Sequence, residues 1–314
     1  MLLYLLKRLG LAILIVVLAV IILYSLIHIV PGDPVSVILG PRATPEMKEI
    51  LYSRMGLDRP FVVQVASFLF NTLQGDLGWD FFSHRPVATI IGDQLPYTLI
   101  LVLTGIGWAI CLGLPLGCYS ALHRNSFLDK LTGVLSVGVI AIPSFVVSVY
   151  TLLIFAVMLK WLPAIGVGEA GNWWDQFVHL LMPAFSIGLS WVGYIARLVR
   201  ASMLEVMGEN HIRMVRAFGL PERLVVFRYG LKVAILPTIS LLGVGIGHLL
   251  STAVFAEIVF ARPGIGKLIY DSVITRNYPV VMGCVLVTSI LFVLCTTLAD
   301  IVAAGLDPRI RENL

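Results

Sequence analysis

The sequence predicts an all-α integral membrane protein built as a six-helix bundle. Three observations carry that expectation. Of the 314 residues 59% are hydrophobic and only 13% charged, mean hydropathy is +0.96, and apolar runs long enough to cross hydrocarbon recur along the chain. The formal net charge of +4 says little alone, because in such chains the placement of basic residues matters more than their sum. Cys111, Cys118, Cys284 and Cys295 all fall inside apolar runs without CxxC spacing, which indicates packing residues rather than a disulfide scaffold or zinc site.

The first run, Leu9 to Val30, follows Lys7 and Arg8 and so has the outline of a secretory signal. About 22 residues at about 1.5 Å each reach roughly 33 Å, a full hydrocarbon core. No small-x-small cleavage pattern follows it, only Pro31-Gly32-Asp33-Pro34, so a retained first span is expected. Further spans are read at Tyr97 to Ala121, Leu131 to Leu159, Phe177 to Val199, Val233 to Ile258 and Val280 to Leu306.

With the N-terminus inside, Lys7, Arg8, Arg124, Lys130, Arg197, Arg200, Arg213, Arg216, Arg223, Arg228, Lys232, Arg309 and Arg311 share the cytosolic side. The other side receives fewer basic residues, most of them in one long loop where charge weighs less, so both termini are predicted cytoplasmic. Domain organisation then reads as a first transmembrane helix over 1–30, an external loop subdomain over 31–96 and a five-helix core over 97–314. The core carries one long cytosolic loop at 201–232.

That loop contains "ENHIRMVRAFGLPERLVVFRYGLKVAILP", Glu209 to Pro237. From Leu204, apolar residues recur at Met207, His211 or Ile212, Val215 and Phe218, close to one helix face. Glu209 and Arg213 stand at i,i+4 in the supportive order. Gly219 occupies a C-cap position and Pro221 follows as a stop, so two short helices joined at Gly219-Leu220-Pro221 are expected, the second from Glu222 to Lys232. A basic amphipathic segment of this kind suits either anionic headgroups or the groove of a cytosolic partner. Periodicity leaves both open.

No HExxH, intramembrane GxGD or GxSxG pattern occurs, so the chemistry of a membrane enzyme is missing from the sequence. "RPGIGKL" at Arg262 to Leu268 echoes a phosphate loop, but Leu268 stands where a magnesium-binding Ser or Thr belongs. Pro263-Gly264 reads better as a turn.

From Glu209 through Gly219 to Pro237 the passage resembles the signature loop of ABC-importer permeases. The resemblance extends in order along the chain: "VPGDP" at Val30 to Pro34, "GLDRP" at Gly56 to Pro60, "GDLG" at Gly75 to Gly78, "RPV" at Arg85 to Val87 and "IPSF" at Ile142 to Phe145. "RLVRASMLEV" at Arg197 to Val206, "RPGIGKL", "RNYPVV" at Arg276 to Val281 and "LDPRIR" at Leu306 to Arg311 continue it. These runs are similar to the peptide, opine and nickel branch. The chain departs from that family at Phe218, where a lysine is common, and at Tyr229 to Val233, where a His-x-x-Arg-Asn run is usual.

The resemblance implies the type I importer fold and a non-catalytic subunit that forms half of the translocation pathway. It implies no cofactor on this chain, ATP and Mg being held by partner subunits. The implied partners are a homologous second permease, two ATP-binding subunits, a periplasmic substrate-binding protein and the lipid of a bacterial inner membrane; nucleic acid is not among them. It assigns ATPase coupling to Glu209, Arg213, Arg216, Ala217, Phe218, Gly219 and Leu220. A secondary transporter or channel is the rival class and would need no such loop.

In the fifth span Gly243, Gly245 and Gly247 form a small-residue run that permits close helix approach or a pore wall. Gly243, Gly247 and His248 are the pathway candidates, with His248 also the candidate metal contact, ahead of His28 and His179. "TPEM" at Thr44 to Met47, "WLPAIG" at Trp161 to Gly166 and "FVLC" at Phe292 to Cys295 resemble nickel-import permeases. The expected cargo is therefore nickel or a nickel chelate, with dipeptides and oligopeptides as the alternative.

Overall fold

In the computed structural model the described residues are 2–29, 35, 39, 44–54 and 58–306, apart from the side chains of 2–5, 27, 28, 51, 54, 303 and 306. The Val30 to Pro34 motif, most of the final Leu306 to Arg311 motif and the His28 side chain lie outside them. Among the described residues the helices are α1 (Leu2–Ile29), α2 (Pro45–Arg54), α3 (Phe61–Leu73), α4 (Val87–Leu122), α5 (Phe127–Ala141) and α6 (Ser144–Thr151), continued in π geometry over Leu152–Met158. There follow α7 (Trp173–Met207), α8 (Asn210–Ala217), α9 (Glu222–Leu224), a π segment at Val225–Gly230, α10 (Leu231–Ala234), α11 (Leu236–Val259), α12 (Ile265–Ile274) and α13 (Tyr278–Leu306).

Helices α1, α4, α7, α11 and α13 are each long and apolar enough to cross a membrane. Helix α5 and the Ser144–Met158 segment are long and apolar enough only as a pair, which is bent by 97°, so the described residues hold five such helices, or six spans if the bent pair is one. A single straight helix from Leu131 to Leu159 is therefore corrected to two. Pro143 has no N–H to donate and pushes Ile142 into extended backbone, ψ 121. Hydropathy registers only the continuous apolar run. The second span also starts earlier than read: α4 begins at Val87, just after Pro86, and carries Pro96 within it.

The chain divides into two compact units, one of Leu99–Arg262 with Leu294–Leu314 and one of Leu2–Thr98 with Pro263–Val293. In the first unit α4 and α7 meet along a seam of small residues. A Cβ on Gly188 would lie 2.5 Å from Trp108 Nε1 and closer still to the Gly105 carbonyl oxygen, and one on Gly113 would lie 3.0 Å from the Val192 carbonyl. Trp108 Nε1 donates to the Ala184 carbonyl at 2.8 Å, a group whose usual i+4 donor would be Gly188. Such close backbone approach is how apolar helices gain van der Waals contact where lipid is as apolar as leucine.

In the second unit Val20, Tyr24, Val65, Phe68, Met282 and Leu286 form one apolar cluster. Val87, Ile91, Ile265, Val280 and Cys284 form another. Much of α1 stays uncovered, with Leu9, Ile13, Leu18 and Ile22 all exposed, as befits a helix solvated by hydrocarbon.

Between α3 and α4 the chain turns on Asp80, whose carboxylate accepts from the N–H groups of Phe82 at 3.1 Å and Ser83 at 3.0 Å, and from the Ser83 hydroxyl and Asn277 amide. Burial opposes ionisation of Asp80, but these donors together hold its carboxyl below the ordinary value of 3.8. A depressed carboxyl stabilises the fold fully above its unfolded value and loses that contribution as pH falls through the folded one. The thermal midpoint of purified protein in detergent is thus expected to fall as pH drops below about 4. Asp80→Ala, which strands several donors, is expected to cost about 1–3 kcal/mol at neutral pH and to flatten that acid limb.

Candidate functional site

Helix α7 does not end at its membrane-spanning stretch but runs on to Met207, where the Gly208 N–H donates to the Glu205 carbonyl and the Glu209 N–H to the Val206 carbonyl, both at 3.0 Å. Glu209, in extended backbone, starts α8. The single helix face read from Leu204 to Phe218 is thereby split in two. Phe218 closes α8, and Gly219 follows at φ +74, donating its N–H to the Arg216 carbonyl at 2.9 Å. That left-handed cap is open to glycine and strained for other residues. The expected second helix is helical throughout 222–234, but with π geometry in its middle at Val225–Gly230, a feature that often marks functional segments.

The apolar periodicity that flags this segment belongs to its inner face. Ile212 is fully buried and Val215 nearly so, beside buried Val225 and Val226. Gly230 lies against the Met207 and Met203 side chains. The opposite face holds Arg213, Met214, Ala217 and Phe218, with Met214 59% and Phe218 74% exposed. Of the residues predicted to couple, Glu209, Arg213, Arg216, Ala217, Phe218 and Gly219 are all exposed and Leu220 is half-buried. Met214 is the member of this face that periodicity missed, since it lies off the stripe that packs inward.

Charge pairing also differs from the expectation. Glu209 sets its carboxylate 3.0 Å from His211 Nδ1, while its link to Arg213 is the backbone bond from the Arg213 N–H to the Glu209 carbonyl. Arg216 instead reaches across the Gly219-Leu220-Pro221 turn. Its Nη2 lies 2.6 Å from Glu222 Oε1 and its Nε 3.2 Å from Oε2. The fork fixes the turn, and the guanidinium holds the Glu222 carboxyl below its ordinary value. Glu222 was not foreseen, because a pair six residues apart across a turn has no helical periodicity to reveal it.

In α11 the glycines turn inward. A Cβ on Gly243 would collide with Ala299, and one on Gly245 would lie 2.6 Å from the Trp191 ring; Gly247 is buried too. Gly243 is thus packed closely against α13. His248 is exposed, on a face shared with Ser240, Val244, Ser251 and Phe255. Its ring centroid lies 6.0 Å from that of Trp191.

Among the described residues no three His, Cys, Asp or Glu side chains converge to hold a metal ion. His179 is engaged within its own helix turn, its Nδ1 2.8 Å from the Asp175 carbonyl oxygen. A cavity of about 350 Å³ between α4, α6 and α7 is lined by Trp108, Phe155, Phe177, Met182 and Phe185 among other largely apolar groups, and offers no anchor for a charged cargo.

Two family descriptions match the chain: "Binding-protein-dependent transport system inner membrane component" over residues 113–312, and "Binding-prot-dependent transport system membrane comp, N-term" over residues 1–102. Among curated relatives, the glutathione transport system permease protein GsiC of Escherichia coli (strain K12) is 34% identical over 309 residues, covering 98% of each chain. The GsiC protein of Salmonella paratyphi A is 36% identical over 309 residues, again covering 98% of each. Among solved structures, an inward-facing form of the MetNI methionine ABC transporter superposes with TM-score 0.58 at 18% identity, over 69% of this chain and 96% of that one.

Proposed function

Because this chain belongs to the binding-protein-dependent inner membrane permeases of ABC importers, in their peptide and nickel branch, we propose that it forms half of an ATP-driven pathway for small peptides of the glutathione class. It is a multi-pass, non-catalytic permease subunit. The relationship to glutathione permeases along nearly the whole chain carries the cargo assignment. The nickel reading rested on a few short motifs, and no cluster of metal-binding side chains supports it among the described residues.

In this reading a homologous permease supplies the other half of the pathway, and a periplasmic binding protein delivers cargo. ATP and Mg reside on two partner subunits, and the termini face the cytoplasm, where the positive-inside bias puts them. The observation that carries the mechanism is the uncovered Met214, Ala217 and Phe218 face of α8, flanked by Arg213 and closed by the Gly219 cap. An aromatic anchor with small and basic neighbours suits a cleft in a protein partner. ATP-driven closure of the two motor subunits draws α8 with it and switches the bundle between outward and inward access. Lining that pathway is assigned to His248 with Ser240 and Ser251, because polar side chains exposed on a membrane span belong toward water or a partner rather than lipid.

The Arg216 to Glu222 fork sets the angle at which α8 is presented. Glu222→Gln is expected to leave stability nearly unchanged, since exposed ion pairs contribute about 0–1 kcal/mol, yet to weaken retention of the ATPase subunits as salt is raised during copurification.

The test of cargo is uptake of radiolabelled glutathione, a dipeptide and nickel into cells lacking this chain, before and after its return with its partner subunits. Uptake of glutathione or dipeptide that returns and requires the ATPase subunits supports the proposal. Nickel uptake that ignores excess peptide overturns the cargo assignment, and uptake that persists without the ATPase subunits overturns the motor.

A further inference from the structure

We propose that the Arg200–Asp129 ion pair is the joint through which motion of the coupling segment reaches the bent pair formed by α5 and the Ser144–Met158 segment. Arg200 lies in α7, two turns before that helix ends at Met207 and gives way to α8. Its Nε donates to Asp129 Oδ1 at 2.5 Å and its Nη2 to Oδ2 at 2.9 Å, a two-pronged contact between residues far apart in sequence. The Asp129 side chain is only 4% exposed. It is held from its own side as well: its carboxylate accepts the Asn125 N–H at 2.9 Å, and its N–H donates to the Ser126 hydroxyl that caps α5.

The two helices also touch seven residues further along each. A Cβ on Gly193 of α7 would lie 2.8 Å from the Ser136 carbonyl oxygen of α5. Seven residues are about two helical turns, roughly 10 Å, so the antiparallel helices are fixed at two levels, by charge near Met207 and by backbone contact deeper in. Two fixed points prevent sliding and pivoting, and α5 must follow α7. At its far end α5 meets the break at Ile142-Pro143, beyond which the Ser144–Met158 segment leaves at 97°. A displacement of α8 is thereby delivered to a bend. Arg200 in α7 and Asp129 in α5 belong to neither the exposed docking face of α8 nor the exposed face of α11, so their part is positioning.

Geometry decides the test. A guanidinium fork fixes both distance and direction, whereas an ammonium keeps the charge and swivels. The inference rests on the reading of α8 as the motor contact, so docking and coupling must be measured separately in the whole complex reconstituted with its binding protein and glutathione. R200K and D129N are expected to retain ATPase subunits at the wild-type ratio and to keep basal ATP hydrolysis. Transport per ATP is expected to fall about tenfold, within the usual span of coupling factors, and the charge-swapped double variant D129R/R200D to recover part of it. Wild-type transport per ATP in R200K, or loss of assembled complex in both R200K and D129N, would overturn the joint. If instead the complex with Phe218→Asp retained its motor subunits, the docking reading would fall while the R200K result still stood on its own.

Discussion

Phe218→Asp is expected to release the ATPase subunits from the permease and to lower cargo-stimulated ATP hydrolysis roughly a hundredfold, the scale of losing a central aromatic anchor. The side chain is 74% exposed and lies at the end of α8, so little of it packs inside the chain. Expression and thermal stability should therefore stay close to wild type. Gly219→Pro should reach the same loss by another route. Proline locks φ near −65°, whereas Gly219 stands at φ +74 and donates its N–H to Arg216. Both the direction of the chain and the Arg216 to Glu222 fork would go with it. Copurification and stimulated ATPase assays check the pair, and normal stimulated activity in either variant would remove α8 from the mechanism.

Gly188→Val is expected to act on the fold itself. The added Cβ meets the Trp108 indole and the Gly105 carbonyl oxygen, and backbone cannot step aside as a flexible side chain would. Overpacking of this kind costs about 1–3 kcal/mol even where neighbours are side chains. The α4–α7 seam should open, the Trp108 bond to Ala184 should be lost, and the thermal midpoint in detergent should drop with the yield of assembled protein. Leu103→Val, on an exposed part of α4, serves as the comparison and should change little.

The spans were legible because a membrane makes length and apolarity sufficient, and α1, α4, α7, α11 and α13 fall where apolar runs lie. The bend between α5 and the Ser144–Met158 segment was not, since Ile142-Pro143 interrupts no hydrophobic run and hydropathy carries no direction. In the loop that follows α7, Gly219 was legible as a cap through its residue type, but the apolar periodicity marked the inner face rather than the exposed one. Periodicity there follows Ile212 and Val215, which pack inward, and an exposed apolar face on so short a helix leaves no separate signature. The glycines of α11 were legible as a small-residue run, but the groups they approach, Ala299 and Trp191, were not. Cargo was least legible of all, because short motifs such as Thr44 to Met47 report kinship within a branch rather than chemistry at a site.

The most direct measurement is site-specific cross-linking from α8 in native membranes. Single cysteines replacing Met214 and Phe218 on the exposed face, and Ile212 and Val215 on the buried face, would each be treated with a short thiol-to-amine reagent in the assembled transporter. Cross-links to the ATP-hydrolysing subunit from positions 214 and 218, strengthened or weakened by ATP and missing from 212 and 215, are the predicted result. Cross-links to lipid alone from 214 and 218 would mean that α8 rests on the membrane surface, and would contradict the claim that this chain meets its motor there.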